Sequence, residues 1–348
     1  MKRPLNTPAG PVVKRARRGT GAVTLRDVAA LAGVAPITAS RALKHPNQVS
    51  QEVRDKVADA VQRTGYVPNL MAGSLASSRN RLIAAIVPTV AVSAFLQTIE
   101  SLTDALFLAG YQLMLGQTGY SAEREEALLE SIIGRRPDGI LLTGIMHSER
   151  GRAKLLSSGI PVVETWDLTP TPIDMLVGFS HVAIGESVSE YFINRGRKRL
   201  GLVTANDERA QRRAGAYAEN TQRRGAAPVV VVDVATSRTL KSGREALGRL
   251  LAQAPETDAV FCSSDLLALG VLTEALARGI AVPQQLAIIG CGDFDFVADV
   301  EPALTSVRIN GAAIGHHAAR FLVARAEGEE VAERIVDVGF SIIERASA

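Results

Sequence analysis

The stretch TLRDVAALAGVAPITASRAL, residues 24–43, decides the fold of the N-terminal part of the chain. Its first apolar residues repeat at the spacing of one helix face, and Thr24 with Asp27 fits a helix-capping pattern. Gly33 can adopt a positive φ and ends this helix tightly, whereas Pro36 suits the first position of a second helix. The stretch therefore predicts two short helices joined by a tight turn.

A third helix is predicted over residues 51–64, ending at Gly65, with Val53, Val57, Ala60 and Val61 on its buried face. Three short helices with a tight turn between the first two are typical of a helix-turn-helix domain, placed here at residues 22–67. A three-helix bundle serving as a spacer is the alternative. Residues 1–80 carry 13 Lys and Arg against 4 Asp and Glu, whereas the whole chain has a net charge of only +3. This basic surplus predicts contact with a polyanion.

The second helix carries the side chains suited to a DNA groove. Arg41 can reach guanine O6 and N7 or a phosphate, and Ile37 can contact a thymine methyl. Hydroxyl side chains on this helix and at the start of the first are suited to phosphates. The predicted DNA-contacting residues of this unit are Thr24, Pro36, Ile37, Thr38, Ser40 and Arg41.

The segments beside this unit have simpler compositions. Residues 1–21 are rich in Pro, Gly and basic residues and are interpreted as a disordered arm with no secretory signal. Residues 68–80 predict a linker with a short helix, either a solvated tether or a segment that orders on DNA and wedges a leucine into the minor groove. No apolar run is long enough for a membrane span, and Cys262 and Cys291 are expected to be buried thiols of a cytoplasmic protein.

From residue 81 to 348, apolar strands alternate with helical patterns in two series, as in RLIAAIVPTV and then RLGLVTA. This alternation predicts an α/β fold with doubly wound parallel sheets in two lobes. Ligands of such sheets bind at the carboxyl ends of the strands. The chain contains no dinucleotide-binding, phosphate-loop or nucleophile-elbow motif, so no catalysis, cofactor or metal is expected.

Polar and aromatic residues at the ends of the first five strands are the first ligand candidates. Trp166 offers an aromatic face to a sugar, although a core position is the alternative, and a lone histidine is as often structural. The candidates from this half are Ser93, Phe95, Thr143, His147, Glu164, Trp166 and Phe179.

The stretches TLRDVAALAGVAPITASRAL, GYVPNLMAGSLAS and RLIAAIVP together resemble the LacI/GalR family of transcription regulators. The resemblance implies a hinge helix at residues 69–76, with Asn69 and an intercalating Leu75 on DNA. It also implies two lobes like those of periplasmic sugar-binding proteins, crossed by the chain near residues 179–182, 306–310 and 337–340. The family's base-reading positions are Pro36 and Ile37 here, which shifts direct readout to Arg41 and the hinge.

The resemblance also supplies effector residues in the second lobe. The motif AQRRAGAY implies that Arg212 enters the cleft, and DAVFCSSD and GCGDF imply roles for Ser264, Asp265 and Asp293. Gly292 stands where the family often has an acid that binds sugar hydroxyls. The missing carboxylate suits an anionic effector, which Arg212 would bind in a bidentate manner.

The run GIPVVETWDLTPTPIDMLVGFS is similar to the gluconate-type regulators of the family. The resulting expectation is a homodimeric repressor that a sugar acid such as gluconate releases from a palindromic operator. A regulator that uses 2-ketogluconate or a phosphorylated sugar acid as inducer or corepressor is the alternative, followed by a sugar-binding transport protein. The sequence leaves open the exact effector, the sign of its effect, the operator and the choice between dimer and tetramer.

Overall fold

The computed structural model describes residues 23–67, 80–89, 93–119, 121–145, 147–234 and 239–348, with only the backbone of Ser93 and Ala94. The predicted arm and hinge, including Asn69 and Leu75, lie outside these described residues. The chain divides into two compact units between Ser78 and Arg79. Each unit is described by itself.

The first unit is a bundle of three helices: α1 (Leu25–Leu31), α2 (Pro36–Lys44) and α3 (Gln51–Thr64). Its core is small and made of short apolar side chains, namely Val28, Ala29, Ala39, Val57 and Ala60. Gly33 lies at φ +67° between α1 and α2, and Gly65 ends α3 in the left-handed conformation. The predicted helices and their punctuating glycines are therefore confirmed.

The start of α1 is fixed by a reciprocal cap. One carboxylate oxygen of Asp27 accepts hydrogen bonds from the backbone N–H of Thr24 at 2.8 Å and from its hydroxyl at 2.7 Å. These bonds favour the ionised carboxylate and lower the pKa of Asp27. The cap thus fixes where the chain enters the bundle, as the Thr24–Asp27 spacing predicts.

The second unit contains two six-stranded sheets, each covered by helices on both faces. In the first sheet the strand order is β11-β5-β4-β3-β1-β2, and in the second it is β12-β10-β9-β8-β6-β7. All pairs are parallel except β10 with β12, which is antiparallel. The strands are β1 (Leu82–Val87), β2 (Gln112–Gln117), β3 (Gly139–Thr143), β4 (Val162–Thr165), β5 (Met175–Gly178), β6 (Leu200–Ala205), β7 (Val230–Val234), β8 (Ala259–Cys262), β9 (Ala287–Cys291), β10 (Thr305–Arg308), β11 (Ile335–Asp337) and β12 (Ser341–Ile343).

Eight helices of the described part of this unit connect the strands. They are α4 (Ser93–Leu108), α5 (Ala122–Ile133), α6 (Glu149–Ser158), α7 (His181–Asn194), α8 (Glu208–Arg223), α9 (Leu240–Gln253), α10 (Asp265–Ala277) and α11 (Gly311–Ala326). Helices over both faces leave the central strands buried on both sides, which explains their almost continuous apolar sequences. Cys262 and Cys291 are buried free thiols at strand ends, as expected.

The chain crosses between the lobes three times, at the places that the family resemblance implies. After β5 it enters α7, which packs on α8 of the second lobe, and after β10 it enters α11, which packs on α4 of the first. The third crossing joins β11 in the first sheet to β12 in the second. The short strands β10, β11 and β12 flank these crossings and were not among the strands predicted from sequence. Only three or four residues long, they lack the extended apolar runs by which strands are recognised.

The close packing of α7 on α8 depends on a glycine. A Cβ atom at Gly185 of α7 would lie 2.3 Å from the carbonyl oxygen of Arg213 in α8, so the two backbones meet there. Gly215, also in α8, faces open space within 4 Å.

We expect Gly185→Ala to lower the free energy of unfolding by about 1–3 kcal/mol, because the added methyl group meets backbone that cannot yield. Gly215→Ala is the matched control and should raise it by up to about 1 kcal/mol through helix propensity. Chemical denaturation of both variants measures the difference. Equal effects of the two substitutions would contradict the backbone contact at Gly185.

Candidate nucleic-acid interface and ligand cleft

Helix α2 presents one face to solvent and the other to the core of the first unit. Ala39 is buried, Thr38 and Ser40 are half-buried, and the side chain of Ile37 is 61% exposed. Pro36 opens the helix and Arg41 is exposed near its end. Within the described part of the chain, the Arg41 guanidinium forms no hydrogen bond or ion pair. Its donors are therefore available to a base edge or a phosphate.

The second unit has a cleft between its two lobes, at the carboxyl ends of the strands. Its empty volume is about 520 Å³, within the usual range for small-molecule sites. Two further cavities, of about 950 Å³ and 550 Å³, share lining residues with it. The first lobe contributes aromatic side chains to the cleft, whereas the second contributes arginines and polar residues. The principal lining residues are Phe95, Trp166, Phe179, His181, Arg209, Arg213, Ser264 and Gly292.

The aromatic wall of the cleft is a chain of edge-to-face contacts. The ring centroids of Phe95 and Trp166 lie 4.8 Å apart, those of Trp166 and Phe179 5.7 Å, and those of Phe179 and His181 4.8 Å. Trp166 has φ +68°, a backbone conformation that a tryptophan rarely adopts. Its Nε1 atom is buried and has no hydrogen-bond partner. Phe95, Trp166 and Phe179 are thus brought together as the sequence predicts.

The guanidinium of Arg213 lies inside the cleft. Its residue is only 7% exposed, and it donates from Nη1 to Nδ1 of His181 at 2.9 Å and from Nη2 to the carbonyl oxygen of Ser263 at 3.3 Å. Its Nε atom is buried without a partner, and no described carboxylate pairs with it. A buried cation without a counter-ion carries an uncompensated desolvation cost.

His181 joins this arginine to the first lobe. Its Nε2 donates to the carbonyl oxygen of Trp166 at 2.9 Å, so Nδ1 is the acceptor for Arg213. Burial, together with the positive charge of Arg213, lowers the pKa of His181 well below its ordinary value. The ring is therefore neutral, with the tautomer fixed by its two partners.

Arg212 lies elsewhere than the resemblance implied. Its side chain is 37% exposed, and its Nη1 donates to Oδ2 of Asp167 at 2.7 Å rather than lining the main cleft. The reason is helical geometry: Arg209 and Arg213 are four residues apart and share the cleft face of α8, whereas Arg212 is rotated away. The i, i+4 spacing, read with Asp207 as the helix cap, would have indicated those two arginines.

His147 and Glu164 form a buried polar cluster with Glu125 instead of lining the main cleft. Nδ1 of His147 lies 2.8 Å from Glu125 Oε1, and Nε2 lies 3.5 Å from Glu164 Oε1. The other Glu164 oxygen accepts from the N–H of Ile173 at 2.6 Å. Burial lowers the pKa of His147, but the hydrogen bonds and charges of the two carboxylates outweigh it and raise the pKa to about 9. His147 is thus an imidazolium held between two acids at neutral pH.

The predicted acids of the second lobe have structural partners. Asp265 accepts from the Ser306 hydroxyl at 2.6 Å and from the N–H of Phe294 at 2.9 Å, and burial raises its pKa to about 6. Asp293 pairs with Arg308 at 2.5 Å and with Arg345 at 2.8 Å beside one of the adjoining cavities.

Ser264 and Thr143 both face cavities. Ser264 caps α10 and lines the main cleft, and Thr143 lines the 950 Å³ cavity. Ser93 begins α4, and its side chain lies outside the described atoms.

Gly292 explains why this chain lacks the acid expected of its family at that position. Its φ is +130°, and a Cβ atom there would lie 2.6 Å from the ring of Phe294. A side chain would be strained and would collide with that ring, so glycine is required. The cleft therefore has one carboxylate fewer than the family pattern implies.

Two negative findings limit the chemistry. No set of three or more His, Cys, Asp or Glu in the described residues is arranged to hold a metal ion. In the same part of the chain, no helix has both the length and the apolar character needed to cross a membrane.

The fold and the two sites define a DNA-binding regulator with a ligand-binding body. The description of bacterial regulatory proteins of the LacI family matches residues 24–69, and that of a periplasmic binding protein-like domain matches residues 189–348. The chain is 38% identical over 332 residues to the HTH-type transcriptional regulator GntR of Pseudomonas aeruginosa, covering 95% of this chain and 97% of that protein. The chain therefore belongs to the LacI family and is a DNA-binding transcriptional regulator.

Solved structures agree with this assignment. A LacI-family transcriptional regulator from Silicibacter pomeroyi matches with a TM-score of 0.88 and 31% identity, over 93% of this chain and 99% of that one. The transcription regulator GntR from Chromobacterium violaceum matches with a TM-score of 0.73 and 35% identity, over 76% of this chain and 98% of that one. The fold class and the family predicted from the sequence are confirmed.

We expect Arg41→Ala to weaken operator binding by about 10- to 100-fold, the cost of one arginine contact to a base edge. Arg63→Ala, which removes an exposed arginine of α3 paired with Asp59, is the matched control. Fluorescence anisotropy on a duplex selected from a random pool measures both. Equal affinities of the two variants would contradict direct readout by Arg41.

The Glu125–His147–Glu164 cluster predicts a pH dependence of stability. A folded-state pKa of about 9 exceeds the unfolded value of about 6.5, so its stabilisation is fully present below pH 6.5 and is lost as pH rises through 9. The free energy of unfolding should fall by up to about 3 kcal/mol over this window, and the fall should be much smaller in His147→Gln. Urea denaturation at successive pH values tests this, with His316→Gln, an exposed helical change, as the control. A wild-type slope in His147→Gln would refute it.

Proposed function

We propose that this regulator is a repressor that leaves a palindromic operator when a sugar acid, gluconate first, binds in the interlobe cleft. The single observation that carries the proposal is the buried guanidinium of Arg213, which no described carboxylate neutralises. An anionic ligand would supply the missing charge. Gly292 adds to this preference because it keeps a carboxylate out of the cleft.

The hydroxyl groups of such a ligand also find complementary partners. The indole Nε1–H of Trp166 and the Nε–H of Arg213 are donors without acceptors, and both residues line the cleft. Buried donors without acceptors cost free energy, which a polyhydroxy ligand would recover. The aromatic wall of Phe95, Trp166 and Phe179 offers the apolar faces against which the carbon chain of a sugar acid packs.

The proposed sequence of events links two sites. Two helix-turn-helix units of a homodimer bind the two halves of the operator through α2, and the hinge at residues 68–80, with Asn69 and Leu75, wedges its central step. Ligand binding changes how the lobes close and so opposes hinge ordering, with a coupling of about 1–3 kcal/mol. The arm at residues 1–21 adds basic charge near the DNA, and the protein acts in the cytoplasm.

The proposed dimer forms through the second unit. Phe107 and Leu108, at the end of α4, are 70% and 87% exposed. Adjacent large apolar side chains at the surface mark an interaction site more often than an isolated one does. This supports pairing through the helix that the sequence singled out.

We expect Arg213→Gln to lower gluconate affinity by about 100-fold and to abolish operator release while operator affinity stays within about twofold, because the charge lies in the cleft. Arg223→Gln, on the same helix but exposed and paired with Glu186, is the matched control. Calorimetry with gluconate, and with glucose as the neutral ligand, measures binding, and anisotropy of a labelled operator measures release.

Trp166→Phe is a second variant that keeps the aromatic packing and removes only the indole donor. It should weaken gluconate binding by about tenfold, the usual value of one hydrogen bond. Equal binding of glucose and gluconate, or full ligand response in Arg213→Gln, would overturn the sugar-acid proposal. The DNA-binding assignment would be unaffected.

A further inference from the structure

One loop of the first lobe reaches α8 of the second lobe through an ion pair. Asp167 follows β4, and its Oδ2 accepts from Nη1 of Arg212 at 2.7 Å. The Asp167 side chain is 1% exposed, whereas that of Arg212 is 37% exposed. A cation accessible from the cleft side is therefore held by an acid that is closed off from solvent.

We propose, on the basis of the sugar-acid function, that Asp167 is a built-in competitor: the carboxylate of the ligand takes Arg212 from Asp167, which then binds a proton. Each ligand molecule would thus enter together with one proton from solvent. Asp167 would in this way set the affinity for the ligand and make it depend on pH.

The geometry explains why Asp167 would take up a proton rather than move away. A Cβ atom at Gly178 would lie 1.9 Å from the carbonyl oxygen of Asp167, so the backbone of β5 presses directly on this loop. On the preceding residue, the Trp166 carbonyl is held by His181 at 2.9 Å. A carboxylate that is buried, fixed in place and deprived of its cation is neutralised by protonation.

The surroundings of Asp167 favour the same outcome. Its other oxygen, Oδ1, accepts only from the N–H of Leu168 at 2.8 Å. Burial already raises the pKa of Asp167, and Arg212 and Arg209 are the charges that oppose the rise. The remaining charged groups around this cavity are the acids Asp207 and Glu208 at the start of α8 and Glu125 of α5. A second carboxylate on Arg212 would leave acids as the main neighbours of Asp167.

The cavity that Asp167 lines gives the ligand a route to Arg212. This cavity, of about 950 Å³, shares Asp207 and Arg209 with the main cleft. A sugar acid whose hydroxyl groups meet Trp166 and Arg213 can therefore extend its carboxylate toward the ion pair. The position of Arg212 away from the main cleft is then a consequence of its resting partner.

Calorimetry of gluconate binding in two buffers of different ionisation heat counts the protons taken up. The single tryptophan, Trp166, adjoins Asp167 and provides an independent fluorescence titration. At pH 7 the wild type should take up close to one proton, and its affinity should rise about tenfold for each pH unit of acidification. Asp167→Asn should take up none and should bind at least about tenfold more tightly, because Arg212 is no longer contested.

Asp174→Asn is the matched control, since it removes a first-lobe acid that pairs with Arg334 outside the cleft. It should keep the proton uptake and affinity of the wild type. Gluconate binding by the wild type without proton uptake, or weaker binding by Asp167→Asn, would overturn the exchange and leave the sugar-acid function intact. Binding by Asp167→Asn alone would support the exchange and show that the wild type needs a stronger acid ligand. No binding by either protein would overturn both.

Discussion

The contact between the Trp166–Asp167 loop of the first lobe and helix α8 of the second is the interaction on which the ligand-binding body depends. At this point three cross-lobe contacts meet: the Asp167–Arg212 ion pair, the bond from His181 to the Trp166 carbonyl, and the Arg209 guanidinium 5.4 Å from the Phe95 ring centroid. All of them involve charged or polar groups beside an aromatic wall. Such contacts are strong when dry and are easily exchanged for those of a polar ligand.

His181 gives this contact a direct route to the backbone. It is the first residue of α7 and lies at the first crossing between the lobes. Its ring accepts from Arg213 on one side and donates to the Trp166 carbonyl on the other. A ligand that draws Arg213 toward itself therefore acts on a bond that holds the crossing. This places ligand binding and lobe closure in one hydrogen-bonded group, as a two-state response to an effector requires.

The fold was predictable from sequence because its signals are local. Gly33, Pro36 and Gly65 set the three helices of the first unit, and the apolar strands of the second could be identified one by one. The site was predictable only in part. Phe95, Trp166 and Phe179 lie where strands end, and the strand order brings them together. Arg213 was missed because the family motif points to Arg212, and which arginine turns inward depends on the pairing of Asp167 across the lobes. A long-range ion pair leaves no periodic trace in a sequence.

The same reasoning separates the acids that hold the site together from those that can respond to a ligand. Both oxygens of Asp265 are engaged by Ser306 and Phe294 within its own lobe, and Asp293 is held by two arginines. Neither acid loses a partner when the lobes move. Asp167 is different, because its only cationic hydrogen-bond partner comes from the opposite lobe. A buried carboxylate whose neutralisation depends on lobe position links the charge of the ligand to the conformation of the protein. Among the acids that sequence inspection placed at strand ends, Asp167 is therefore the one suited to sense an anion rather than to support the pocket.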